Sequence, residues 1–172
     1  MKSGKKPLVG IILGSDSDFP VVESALQTLI EFNVNYEVIV SSAHRTPART
    51  EKYVSSAAKR GIKVLIAAAG GAAHLPGVVA AYTNLPVIGL PIKTKAFEGI
   101  DSLLSIIEMP KGVPVATVGV NNAGNAILLA IRILACSDSV LNRKMTQFRK
   151  KQAKAVIAKD AVLQQKLKNK QL

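Results

Sequence analysis

The chain has no tryptophan, one cysteine (Cys136), two histidines and only 4% aromatic residues. Each shortage removes a class of explanation. A single cysteine cannot close an internal disulfide, which points to a reducing compartment, so the expected location is cytoplasmic. Two histidines and one cysteine do not make a zinc site, so no metal is expected. Basic residues without interleaved aromatics lack the stacking platforms of a single-strand nucleic-acid binder. Long apolar runs are missing as well. The first, Leu8 to Leu13, stops at Gly14 and is too short for a signal-peptide core. Nothing approaches the ~20 apolar residues of a membrane span, so no membrane partner is expected. The sequence has no GxGxxG or Walker loop, which weighs against dinucleotide and ATP sites, and no GxSxG elbow, which weighs against a serine hydrolase.

What remains is a chain of 172 residues, 48% hydrophobic, long enough to bury a core without staples. It reads as one domain over residues 1–172. The net charge of +12 is concentrated at one end: residues 142–172 carry 10 Lys/Arg against a single acid, Asp160, while residues 1–141 carry 13 against 10. That distribution favours a solvated basic helix over a nucleic-acid surface, and nucleic acid is disfavoured as a partner.

Apolar runs alternate with amphipathic stretches, the pattern of a parallel sheet with crossover helices. Strands are expected at Pro7–Leu13, Val34–Ser41, Ile62–Ala68, Pro86–Leu90 and Pro114–Val118. Helices are expected from Ser17 or Asp18 to about Phe32, from Pro47 to Arg60 with Gly61 as terminator, over Leu75–Tyr82, near Gly99–Met109 and over Ala123–Ala135. Residues 139–172 form a long basic helix or tail. Leu141, Met145, Phe148, Val156, Leu163 and Leu167 make a broken apolar stripe on it, suited equally to its own domain or to a neighbouring subunit. The fold class is α/β: a three-layer αβα sandwich, flavodoxin-like, with a five-stranded parallel sheet plus the long C-terminal helix. In such a fold ligands sit beyond the carboxyl ends of the strands.

Three loops fall at those ends. Gly14-Ser15-Asp16-Ser17-Asp18 offers a glycine turn, small hydroxyls and amides suited to a phosphate, and a carboxylate suited to ribose hydroxyls; a plain helix cap would look similar. Ser42-Ala43-His44-Arg45-Thr46-Pro47 brings a proton-transfer group and a two-pronged anion binder to a helix start, although taken alone the pair would pass for ordinary surface residues. Gly70-Gly71-Ala72-Ala73-His74-Leu75-Pro76 has almost no side chains; such a stretch lets a ligand approach bare backbone amides, or packs helix on strand. Both histidines lie on these converging loops. Cys136, continuing the apolar run Ile131–Ala135, reads as core and not as a nucleophile.

In combination, GSDSD, SAHRTP and AGGAAHLPG, followed by Asp101-Ser102-Leu103-Leu104-Ser105-Ile106, Met109-Pro110, Pro114-Val115-Ala116-Thr117 and Asn125-Ala126, closely resemble the phosphoribosylaminoimidazole carboxylase catalytic subunit family in its class I form, the N5-carboxyaminoimidazole ribonucleotide mutases. The resemblance covers roughly residues 8–150. It implies an enzyme of de novo purine synthesis that moves a carboxylate from an exocyclic nitrogen to ring carbon C4 through bound carbon dioxide, without a cofactor. It also implies a cytoplasmic homo-oligomer, typically an octamer, acting on a phosphorylated ribonucleotide.

Carried onto this chain, the resemblance makes His44 the general acid and base. Ser15, Arg45 and Ser17 suit the phosphate and Asp18 the ribose. Gly14, Ser42 and Ala43 line the substrate site, and Gly71, Ala72, Ala73, His74 and Leu75 wall in the base and the carbon dioxide. His74-Leu75-Pro76-Gly77 favours class I over the class II relatives, which carboxylate the unmodified ribonucleotide directly. Lys93 stands where relatives usually carry Gln, and Glu98 where they carry a small or polar residue. The stretch 118–125 is short for the family, and the tail beyond about residue 155 lies outside the resemblance.

Overall fold

The computed structural model describes residues 6–169. Five parallel strands, β1 (Val9–Leu13), β2 (Tyr36–Val40), β3 (Val64–Gly70), β4 (Val87–Ile92) and β5 (Ala116–Thr117), lie in the order β2-β1-β3-β4-β5. Five helices alternate with them or follow: α1 (Phe19–Phe32), α2 (Pro47–Arg60), α3 (Leu75–Ala81), α4 (Ile100–Ile107) and α5 (Ala123–Ala135). This is the expected doubly wound sandwich. Its winding reverses between β1 and β3, where open α/β sheets bind ligands.

The three central strands, β1, β3 and β4, are buried on both faces, which is why they read as unbroken apolar runs, while the edge strands β2 and β5 are only partly buried. One face carries Ile12, Leu65, Ala67 and Ala69 and packs with Val54 and Ala57 of α2, Leu75 and Val79 of α3, and Ile106 of α4. The opposite face, with Ile11, Leu13, Ile66, Ala68, Ile88 and Leu90, is equally buried. Its cover falls to α1 and α5, whose buried residues include Val22, Leu29, Ile127 and Ile131. Gly89 is needed for close approach, because a Cβ there would overlap the side chains of Ile106 and Val115. Its absence lets α4 settle onto β4.

The strand ends differ from expectation, and the differences have causes. β4 runs through Pro91 to Ile92, two residues past the expected end. The carbonyls of Gly89 and Pro91 accept from Val118 N at 3.1 Å and Asn121 N at 2.9 Å, so this side of β4 faces β5 and the loop after it. The N–H that proline lacks would therefore point away from β3, and the ladder to β3 stays whole. β3 likewise continues to Gly70, paired with Ile92. β5 shrinks to two residues.

The helix starts differ from expectation as well. Neither Ser17 nor Asp18 caps α1 by side chain. Ser15 instead caps a short 3-10 turn over Asp16–Asp18, with Asp18 bonding back to it as a capping box. Thr46 precedes Pro47 as expected, but its hydroxyl turns back to Ser42. Gly61 ends α2 in a left-handed conformation, as expected.

The chain divides into two compact units, one running through Leu134 and the other starting at Ala135. The second contains α6 (Ser139–Asn169), 31 residues long. Leu141 and Met145 are buried and Phe148 is half-buried, while Val156, Leu163 and Leu167 of the same stripe are exposed. Cys136 follows α5 and is exposed, so its reading as core was wrong: the apolar run ends at Ala135 and the helix ends with it. No helix among the described residues is long and apolar enough to cross a membrane.

Candidate active site

The loops after β1, β2, β3 and β4 close around one cleft of about 460 Å³. Gly14, Ser15, Ser17 and Asp18 line it from the first loop, Ser42, Ala43, His44 and Arg45 from the second, and Ala72, Ala73, His74 and Leu75 from the third. Of the expected site residues only Gly71 is not in this lining; it supports the rim.

The first loop is folded on itself. Asp18 Oδ2 accepts from Ser15 N at 3.0 Å, Ser17 N donates to Asp16 Oδ1 at 3.0 Å, and the hydroxyls of Ser15 and Ser17 meet at 2.8 Å. Asp18 is buried, and burial pushes its carboxyl above the ordinary value. The Ser15 amide and the Ser17 hydroxyl oppose that shift, and Asp16 adds to it. Gly14 does not adopt a left-handed turn. Its N–H donates to Ala68 O at 2.9 Å and continues the β1–β3 ladder.

The second loop is held by Thr46. Its Oγ1 accepts from Ser42 N at 3.0 Å and donates to Ser42 O at 3.0 Å, while Thr46 N donates to the same carbonyl at 2.9 Å. Below it the buried Ser41 and Thr50 hydroxyls bond at 2.8 Å. His44 and Arg45 thus project from a short closed ring of bonds. Among the described residues the Arg45 guanidinium makes two long hydrogen bonds, both at 3.5 Å, to Ser42 Oγ and Gly14 O. At that length they orient the guanidinium but leave its donors to a ligand.

The third loop supplies room, and several of its amides are engaged within the protein. Gly71 N donates to Ser102 Oγ at 2.9 Å, Ala73 N to Gly71 O at 2.7 Å and His74 N to Ala72 O at 2.6 Å, so these donors are occupied. Gly71 takes φ +66°, and a Cβ there would meet nothing within 4 Å. Across the cleft His44 Nε2 lies 2.6 Å from His74 Nδ1, the rings nearly perpendicular.

Sequence reasoning missed three groups. Ile92 and Thr94 line the cleft beside Lys93; placing the end of β4 at Leu90 hid them, although the rule that sites gather at strand ends would have found them. Ser102, fully buried, donates to Ile92 O at 2.7 Å while accepting from Gly71 N, and so ties the third and fourth loops together. Arg49 lines an adjoining hollow with Arg45, Ser15 and Thr46. Its spacing of four from Arg45 was the available signal. The two departures from the family pattern meet each other: Lys93 and Glu98 form an exposed ion pair. Among the described residues no group of three His, Cys, Asp or Glu could hold a metal ion.

Residues 8–155 match the AIR carboxylase family. A Saccharomyces cerevisiae protein named phosphoribosylaminoimidazole carboxylase is 59% identical over 154 residues, 90% of this chain and 27% of that protein. The N5-carboxyaminoimidazole ribonucleotide mutase of Pyrococcus horikoshii is 58% identical over 150 residues, covering 87% of this chain and 84% of its own. That of Mycobacterium tuberculosis strain H37Rv is 54% identical over 162 residues, covering 94% and 93%. The chain therefore spans about a quarter of the length of the yeast relative and most of the length of the mutases. The crystal structure of Treponema denticola PurE superposes with a TM-score of 0.82 at 29% identity, covering 91% of this chain and 98% of that one.

Proposed function

Because the chain belongs to the AIR carboxylase family, we propose that it is an N5-carboxyaminoimidazole ribonucleotide mutase of purine synthesis, converting its substrate to the C4-carboxylated isomer. The observation that carries this reading is the meeting of His44, Arg45, Asp18 and the small-residue loop 70–75 in one cleft at the winding reversal of the sheet.

Each part has a chemical use. Arg45, with Ser15 and Ser17, faces the substrate phosphate, and Asp18 faces the ribose hydroxyls. The bond between the exocyclic nitrogen and its carboxylate breaks, the electron pair stays on nitrogen, and His44 protonates that nitrogen. Carbon dioxide is held where Ala72 and Ala73 leave space. Ring carbon C4 attacks it, and the C4 proton returns to His44. One histidine serves both steps because they need opposite protonation states. A small neutral intermediate requires a closed site, and the Ser102 tie between loops three and four supports one.

The reading extends to a cytoplasmic homo-oligomer, an octamer. Phe97 just before α4, Ile100, Leu104 and Ile107 along it, and Val156, Leu163 and Leu167 along α6 stand exposed, apolar area of the kind subunit contacts cover. A second reading is direct carboxylation of the unmodified aminoimidazole ribonucleotide, favoured by the name of the yeast relative.

A two-armed assay separates the readings. One arm supplies the N5-carboxylated ribonucleotide at low bicarbonate, the other the unmodified ribonucleotide with bicarbonate varied, and product is followed by absorbance. Fast turnover in the first arm is expected. Efficient turnover only in the second would replace mutase by carboxylase, and none in either would remove the enzyme reading.

A further inference from the structure

The chain has two histidines, and their rings touch. His44 Nε2 and His74 Nδ1 are 2.6 Å apart, with ring centroids at 4.8 Å and planes 86° apart. Two nitrogens this close must have a proton between them. Two bare lone pairs would repel, and two N–H groups do not fit. This is the only hydrogen bond either ring makes among the described residues. His44 Nδ1 and His74 Nε2 are left for solvent or ligand.

We propose that His74 is a positioning residue for His44: its Nδ1 accepts the Nε2–H of His44 and leaves His44 Nδ1 as the working nitrogen throughout the reaction. This rests on the mutase reading above.

The backbone supports a held contact. His44 follows β2 and His74 follows β3, and these strands are not neighbours, because β1 lies between them. With strands about 4.8 Å apart, the loops stand roughly 10 Å from each other and the rings must bridge the end of β1. Each loop is fixed independently, the second by the Ser42–Thr46 bonds and the third by Gly71 on Ser102 and His74 N on Ala72 O. The bridge is thus made between two anchored sides.

Proton balance chooses its direction. With the Nε2–H of His44 donated to His74, the protonated pair can release the Nδ1 proton to the exocyclic nitrogen and remain a neutral imidazole in an unchanged hydrogen bond. The same Nδ1 then takes the C4 proton, and the pair returns to its starting state with no proton held elsewhere. In the opposite direction, loss of the Nδ1 proton would leave His44 without any proton until His74 gave up its own. The accepting lone pair of His74 also fixes the orientation of the His44 ring. It does what a carboxylate does for the histidine of a Ser-His-Asp triad, but without a negative charge beside the departing carboxylate. Asp18, Arg45 and Lys93 are the other charged groups lining the cleft, Lys93 being paired with Glu98. They are common to wild type and to His74 variants, so they cancel in a comparison of the two.

The test uses protein labelled with ¹⁵N at histidine, which gives two imidazole spectra. His74→Asn removes one and assigns the other. In the wild type, His44 is expected to carry its proton on Nε2 with Nδ1 bare. His74→Asn keeps an acceptor oxygen near the Nδ1 position and should hold kcat within about threefold. His74→Leu removes the acceptor. It should mix the His44 tautomers, lower kcat on the order of tenfold with KM within about twofold, and move the pH profile of kcat. A His44 proton on Nδ1 in the wild type, or an unchanged tautomer and pH profile in His74→Leu, would overturn the proposal. The spectra need no substrate. An Nε2–H tautomer lost in His74→Leu, in a protein that turns over neither substrate, would remove the mutase reading and leave the pair intact.

Discussion

Helix α2 has arginines near both ends, and their surroundings are opposite. Arg60, in the last turn, donates to Glu37 Oε1 from Nε at 3.2 Å and Nη2 at 2.8 Å, and from Nη1 to Tyr53 O at 3.1 Å and to Ser56 Oγ. Its guanidinium lies 4.4 Å from the centroid of the Tyr53 ring, whose phenol is pushed up by burial and by Glu37. Arg45, just before the helix, has its two 3.5 Å hydrogen bonds among the described residues. The same side chain is structural where its donors are engaged and ligand-directed where they are not. By that criterion Arg45 is a candidate for ligand binding, while Arg60 and Ser102 belong to architecture.

The criterion makes graded predictions. His44→Asn should have the largest effect, a loss of turnover of about 10²–10⁴ with the circular dichroism spectrum and melting midpoint unchanged. Wild-type rates in that variant would break the assignment. Arg45→Ala should raise KM by about tenfold to a hundredfold at unchanged stability. Arg60→Ala should do the reverse, costing about 1–2 kcal/mol in urea unfolding with KM unchanged. If the two arginines exchanged these outcomes, the comparison would fail.

Ser102→Ala would leave the Gly71 amide and the Ile92 carbonyl without their partner. A cost of about 1–3 kcal/mol is expected in the same unfolding measurement. The smallest effect belongs to Asp18→Asn. Burial raises the folded-state pKa of Asp18, so its contribution to stability is present below the unfolded carboxyl pKa and lost as pH rises through the folded value. The Asn variant lacks that loss. Its melting midpoint should gain on wild type by about 1–3 °C as pH rises through the carboxylate range and then stay parallel. A constant difference at all pH values would contradict the burial argument.

The centre of the sheet was legible because both of its faces are buried there: β1, β3 and β4 each write an apolar run bounded by Gly14, Gly61 or a proline. Pro91 misled for the same reason that proline usually informs. It marks a strand end unless the missing N–H points away from the ladder that matters, and that depends on β5 stopping at Thr117. The extra reach of β4 is what brings Thr94 to the cleft. The convergence of the loops around His44 and His74 on one cleft was legible, but the contact between the two rings was not. It follows from strand order, and β1 between β2 and β3 is a property of the sheet and of no local stretch of sequence. The engagement of the Gly71 amide was not legible, because its partner Ser102 lies thirty-one residues beyond it.

Gly71 has one more consequence. Open space surrounds its missing side chain, and only the sign of its φ angle excludes other residues. The position therefore selects by handedness and not by size. A D-alanine placed there by chemical ligation would satisfy the backbone that L-alanine strains, and could carry a methyl group, or a larger D-side chain, out from the rim of the cleft with the loop undisturbed.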